Sequence, residues 1–201
     1  MKKYTVLLIF LSLILLLTNT SYSQMIKLGI SAGLAKITGP AAYTNSIADN
    51  GNGFGSNFNF GAQARINIPL LPITPIIFVD YYMLRGSGNI GALAISTSQN
   101  ILSAGIEGEF NILPLPFVTP YISVEAAVNR FGTLERNYTG SNTPQGSVTR
   151  YGGALGVGAV ITILPFVDLD ASLKFHLLNL IGKSSGESGV NALTLNVAVI
   201  F

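Results

Sequence analysis

FVDLDASLKFHLLNLIG (166–182) decides how this chain is read. From Val167 to Leu177 every second residue is apolar: Val167, Leu169, Ala171, Leu173, Phe175 and Leu177. Between them stand Asp168, Asp170, Ser172, Lys174 and His176, the last being the only histidine in the chain. A period of two puts successive side chains on opposite faces of a strand. One face is therefore apolar and the other ionisable, in a chain only 10% charged. Such a face marks an active site, a solvated surface or the inside of something.

Composition narrows the choice. The 201 residues fit one domain. An ordinary soluble domain is roughly a quarter charged, whereas this chain is 49% hydrophobic and has too little charge to cover a soluble surface. It is expected to face lipid. The net charge of +2 is too small to suggest nucleic acid, and no run of Lys or Arg follows the N-terminus. With no Cys, disulfides, thiolate zinc sites and a lipid-modified cysteine are excluded.

The N-terminus reads as a secretory signal. Lys2 and Lys3 form the positive segment, VLLIFLSLILLL (6–17) the apolar core, and Ser21 and Ser23 the small residues before a cut at Gln24. The alternative is an uncleaved anchor, but the core is 12 residues, short of the roughly 20 a spanning helix needs. The expected division is a signal peptide at 1–23 and one domain at 24–201. Such export, without cysteine, suits a bacterial envelope.

No later segment offers a spanning helix. The most apolar run, IPLLPITPIIFV (68–79), is cut by Pro69, Pro72 and Pro75. Lipid satisfies no backbone polar group, so only helices and closed barrels cross it. A lipid-facing chain without helical spans should be a barrel of alternating segments of about ten residues. Eight such segments are predicted: 25–37, 57–68, 75–85, 100–111, 120–131, 148–163, the opening stretch, and 191–201. In NFNFGAQARINI (57–68), for example, Phe58, Phe60, Ala62, Ala64, Ile66 and Ile68 oppose Asn59, Gly61, Gln63, Arg65 and Asn67.

The connections alternate too. Those at 39–56, 86–98, 132–146 and 183–189 are polar and rich in Gly, Asn and Ser; PLLPITP (69–75), LPLPFVTP (113–120) and LP (164–165) are shorter and hold most of the prolines. Long loops outside and short turns at the periplasm are the outer-membrane pattern. INIPLLPITPIIFVD (66–80) and FNILPLPFVTPYISVE (110–125) repeat one turn with its flanking strands, and VITILPFVDLD (160–170) is a shortened version.

A soluble lipocalin-like barrel also alternates, with its apolar face inward. Its outer face would then need charge, especially Lys at edges, and here the polar face carries mostly Gly, Ser and Asn. The inverted arrangement is expected: apolar residues on lipid, with small polar residues and paired charges in the lumen. Eight strands leave an interior just wide enough for side chains.

The segments RYGGALGVGAVI (150–161) and TPYISVE (119–125), and a last strand LTLNVAVIF that ends at Phe201 after Val199, Val197 and Leu195, carry a resemblance. The chain resembles the small outer-membrane-protein β-barrel domains, the porin-family barrels of the OmpA/OmpX type, over its whole mature length. The resemblance implies an all-β, eight-stranded antiparallel up-and-down transmembrane barrel with both termini in the periplasm. It implies that Phe201 is the signal read by the barrel-assembly machinery, with periplasmic chaperones as partners during biogenesis and outer-membrane lipid afterwards. It implies no cofactor and a monomer. The family has no shared catalytic motif. This sequence departs from the pattern in two ways: it stops at the barrel, without the peptidoglycan-binding domain of OmpA-like proteins, and its periplasmic turns are unusually apolar and Pro-rich.

Parity places ten ionisable groups in the lumen: Arg65, Asp80, Glu107, Glu109, Glu125, Arg150, Asp168, Asp170, Lys174 and His176. The expected role is a buried electrostatic network, because unpaired charge in a narrow barrel is costly. Arg65 or Arg150 is the expected partner of Glu107 and Glu109. Acids outnumber the bases Arg65, Arg150 and Lys174, so a narrow cation-preferring channel is the second reading. A lipid-modifying enzyme is the third. It would need a serine, a histidine and an acid facing lipid near the outer rim, but His176 shares the lumen face and no Gly-x-Ser-x-Gly motif occurs. One His without Cys makes no transition-metal cage. The sequon at Asn137 carries little weight in a bacterial protein. Phe58, Tyr81, Tyr121, Tyr151, Phe166 and Phe201 are candidates for interface girdles or ordinary lipid-facing side chains.

Overall fold

A computed structural model describes residues 26–68, 71–113, 115, 117–138 and 141–201; the expected signal segment lies outside them. The strands are β1 (Ile26–Gly39), β2 (Ser56–Ile66), β3 (Ile73–Ile90), β4 (Leu93–Asn111), β5 (Val118–Phe131), β6 (Leu134–Tyr138), β7 (Ser141–Gln145), β8 (Val148–Leu164), β9 (Val167–Ile181) and β10 (Asn191–Ile200). Among the described residues no helix is long and apolar enough to cross a membrane.

Eight of these strands pair antiparallel in the circular order β1-β2-β3-β4-β5-β8-β9-β10. The seam joins β10 back to β1, with Ile30 opposite Val199 and Leu34 opposite Leu195. Next to it Leu28 and Phe201 exchange two backbone hydrogen bonds, 2.9 and 2.8 Å long. Closure satisfies the backbone of every barrel strand within the sheet, which lipid requires.

Alternation decides which side faces out. Ile30, Phe58, Ile77, Ile106, Val124, Leu155, Leu173 and Leu195 are all exposed on the outer face, one or more from each barrel strand. Their neighbours Ser31, Asn59, Phe78, Glu107, Glu125, Gly156, Lys174 and Asn196 point inward. The belt is far too large to be left in water. The structure is therefore an inverted barrel, and the soluble alternative is set aside. Tyr81 and Phe60, 5.4 Å apart between ring centroids, stack on the outer face of β2 and β3. Tyr121 is not a girdle residue, since it is buried in the lumen at 1% exposure.

The outer connections correct the sequence reading. The expected loop 86–98 is mostly strand: β3 and β4 continue to a two-residue turn at Gly91–Ala92, where Ile90 pairs with Leu93. Gly91 has φ +59°, as a type II′ turn needs at its first central position. The expected loop 132–146 contains the hairpin β6–β7, whose first strand pairs with Ser96–Ser98 of β4. These segments lie above the lipid, so their side chains need not alternate, and the periodicity sought in the sequence is absent. A small apolar contact steadies the projection: Ile47 and Ile95 are buried, and Ile47 lies against Gly88. The 39–56 connection holds a helical turn at Ala41–Thr44 and a 3-10 turn at Ile47–Asp49.

Candidate functional site: the lumen and its outer mouth

The lumen has two tiers. The inner and middle part is ionic. Arg65 on β2 forms a two-toothed pair with Glu109 on β4 and also reaches Asp170 on β9 at 3.2 Å. Tyr121 on β5 donates its hydroxyl to the other Asp170 oxygen at 2.7 Å. Lys27 on β1 closes on Asp168 at 2.6 Å. Higher up, the Lys174 ammonium sits 2.6 Å from Glu107 and 3.6 Å from Glu125, and 5.9 Å from the centre of the Phe78 ring. Asn59 donates to Asn196 at 2.8 Å across the seam strands.

The outer tier is largely apolar. Ala35, Ile37, Tyr82, Leu84, Ile101, Phe131, Leu178, Val190 and Ala192 form one buried cluster, and Phe54 of the first outer loop plugs it from above. Tyr43 packs its ring on Phe54 at 5.6 Å. The expectation of small polar groups and paired charges throughout the lumen is thus corrected. Above His176 this apolar cluster joins the polar filling, with Gln99, Asn129 and Asn179 buried beside it.

Of the ten groups parity placed in the lumen, the structure brings together eight: Arg65, Glu107, Glu109, Glu125, Asp168, Asp170, Lys174 and His176. Asp80 lines a cavity of about 20 Å³ beside Glu107, Asp170 and Lys174, room for about one water. Arg150 is a correction. It has lumen parity but sits at the mouth, where it forks onto Glu187 of the last outer loop at 2.6 Å. It neutralises no lumen acid, and Glu109 is matched by Arg65 alone of the two expected partners. Sequence reasoning missed Lys27, Tyr121 and Thr194. Lys27 was findable, because it alternates with Ile26 and Leu28 on the inward face of β1.

His176 is 2% exposed. Its Nε2 lies 3.0 Å from the Thr194 hydroxyl and its Nδ1 3.6 Å from Glu125. Hydroxyl, imidazole and carboxylate stand in the order of an acyl-transfer relay. However, Thr194 is wholly buried, the Tyr82 ring packs edge-on against the imidazole at 6.1 Å, and the small cavity touches neither Thr194 nor His176. The arrangement orients a histidine in a packed core and leaves no place for an acyl chain. Among the described residues no group of three or more His, Cys, Asp or Glu side chains is placed to hold a metal ion.

At the mouth, Glu187 also accepts from the Ser184 amide at 2.9 Å and from Asn179 at 3.0 Å. The Arg150 hydrogen bonds, with these two, draw its carboxyl down to about 2. Burial and the nearby Glu187 carboxylate push the Tyr43 phenol up. Arg136 of β6 donates to Gly51 and Asn52 at 3.0 and 2.9 Å, tying the hairpin to the first loop. The loops thereby frame an open hollow of about 530 Å³ floored by Tyr43, Gln99, Leu134 and Val190.

No protein-family model matches the sequence, and no curated protein matches it. Solved structures do match. Neisserial surface protein A superposes with a TM-score of 0.62 at 20% identity, over 88% of this chain and 96% of that one. Ail, the attachment invasion locus protein of Yersinia pestis, gives 0.47 at 17% identity over 88% and 96%. The N-terminal β-barrel domain of Pseudomonas aeruginosa OprF gives 0.47 at 14% identity over 87% and 97%. At such identities the shared property is the fold. The order of its eight strands, its lipid-facing belt and the likeness to Neisserial surface protein A together give this chain the fold of the small eight-stranded outer-membrane barrels.

Proposed function

We propose that the protein is an integral outer-membrane barrel that works as a closed, non-enzymatic scaffold for its surface loops. The observation that carries this reading is the filled lumen: an ionic tier crossed by short ion pairs, capped by an apolar tier plugged with Phe54. An ion would have to pass the buried side chains of Leu84, Ile101, Phe131 and Leu178, which cannot replace its hydration. The apolar belt supports insertion as a monomer. Export by a cleaved signal peptide at 1–23, chaperone escort and recognition of Phe201 by the assembly machinery complete the proposal. Phe201 supports it by its place beside the seam, where it pairs with Leu28.

The excess of acids around the small cavity keeps a narrow cation channel as the second reading. Planar-bilayer recording of purified, refolded protein separates them. The scaffold predicts no discrete conductance steps. Stable steps lost in Glu107→Gln or Asp168→Asn would establish the channel, and a mass shift of lipid A on expression would establish an enzyme.

A further inference from the structure

The periplasmic end of the barrel is apolar to a degree the scaffold role does not explain. No charged residue occurs at 66–79, 110–124 or 159–167, the three stretches that turn the chain there. Leu71, Ile112, Leu115, Phe117, Ile163 and Phe166 are all exposed on these turns or the strand ends beside them, and Phe117, at 71%, is the most exposed large hydrophobic side chain among the described residues.

The turns are joined side by side. Asn111 N donates to the Pro72 carbonyl at 2.9 Å, linking the first turn to the second. Thr162 N donates to the Phe117 carbonyl at 3.0 Å, linking the second to β8, which leads into the third. Within the second turn Leu115 N donates to Val118 and Ile112 N to Pro120, at 3.1 and 2.9 Å. The result is a hydrogen-bonded rim running under six barrel strands, from β2 round to β9. It continues the lipid-facing belt without a charged break: Ile77, Phe110 and Ile122 above it are exposed on the same outer face.

Backbone chemistry points the same way. Seven of the nine prolines lie in these three stretches. Each proline removes an N–H, and an unpaired N–H is what makes irregular backbone costly in a poorly hydrated medium. A turn exposed to water has no need of that economy, because water satisfies its donors.

We propose that this rim is sunk in the inner leaflet of the membrane, with phospholipid as its occupant, so that the barrel stands on a lipid-embedded foot. The proposal rests on the membrane reading above, and its test keeps the two apart. The chain contains no Trp, so one introduced indole reports one place. Phe117→Trp and Phe166→Trp probe the rim, Leu155→Trp the belt, and Ile90→Trp the outer hairpin tip. Each is refolded into nanodiscs, whose two faces are both open to solvent, with phosphatidylcholine whose acyl chains are either plain or brominated. Folding is checked by the mobility of unheated protein on a gel.

The expected result is that bromine quenches both rim indoles several-fold, as it does Leu155→Trp, while aqueous iodide hardly touches them. Ile90→Trp should show the reverse. Iodide quenching of both rim indoles to the level of Ile90→Trp, with no effect of bromine, would overturn the foot while Leu155→Trp still upheld the barrel in lipid. Failure of bromine to quench Leu155→Trp would overturn both. Two rim positions guard against one variant that does not fold.

Discussion

At the scale of single residues, Lys174 is the group on which the ionic tier depends most. Its ammonium lies between Glu107 and Glu125, both buried. Removing one partner of a buried pair leaves the others uncompensated, a cost of about 3–5 kcal/mol. Lys174→Met should lower the urea midpoint of protein refolded in vesicles accordingly. Adding Glu107→Gln and Glu125→Gln should restore much of the loss, because neutral groups need no counter-charge. Glu187 gives a pH-dependent counterpart at the surface. Its carboxyl is held at about 2 by Arg150 and the Ser184 amide, against about 4.3 for a free Glu. A depressed folded value means the clamp is complete above about pH 4 and fades as pH falls toward 2. Protection of the Ser184 and Val190 amides from hydrogen exchange, relative to the intrinsic rate at each pH, should fall across that window, and Glu187→Gln should show low protection already above pH 4. Parity alone placed ten ionisable groups on one face and passed over Lys27. The pairing was not legible in the sequence. Lys27 and Asp168 are 141 positions apart, and strand tilt decides which levels meet across the lumen. Arg150 shows the same limit, because alternation reports a face but not a height.

At the scale of elements, close packing explains the glycines of RYGGALGVGAVI. A Cβ at Gly158 would collide with the Tyr121 hydroxyl, which occupies that space and donates to Asp170. Gly158→Val should displace Tyr121 and break its hydrogen bond to Asp170, costing on the order of 1–3 kcal/mol as overpacking. Val157→Ala, which faces lipid one residue away, should cost less in the same urea titration. The barrel strands themselves were readable wherever they cross lipid, because the membrane enforces apolar-out alternation there. Above it, β3 continues for 18 residues in all, against the roughly ten a crossing needs. Those extra residues, Gly86 to Ile90 among them, pair through their backbones, and backbone pairing leaves no period in the sequence. The hairpin β6–β7 was hidden for the same reason.

At the scale of the whole molecule, two different interiors share one wall. The ionic tier was foreseeable from one inward-facing stretch, β9, but the apolar cap was not. It draws on β1, β3, β4, β5, β9, β10 and two loops, and no single strand carries more than two of its residues. Phe54 comes from a connection that reads as polar. The seam has a consequence in time. Leu28 and Phe201 are joined directly, and no other pairing among the described residues spans so much of the chain. Bringing such distant partners together is the slow step expected of a fold rich in long-range contacts. Until β10 pairs with β1 the sheet has two bare edges, and the interval is one in which a neighbouring chain could pair with them instead.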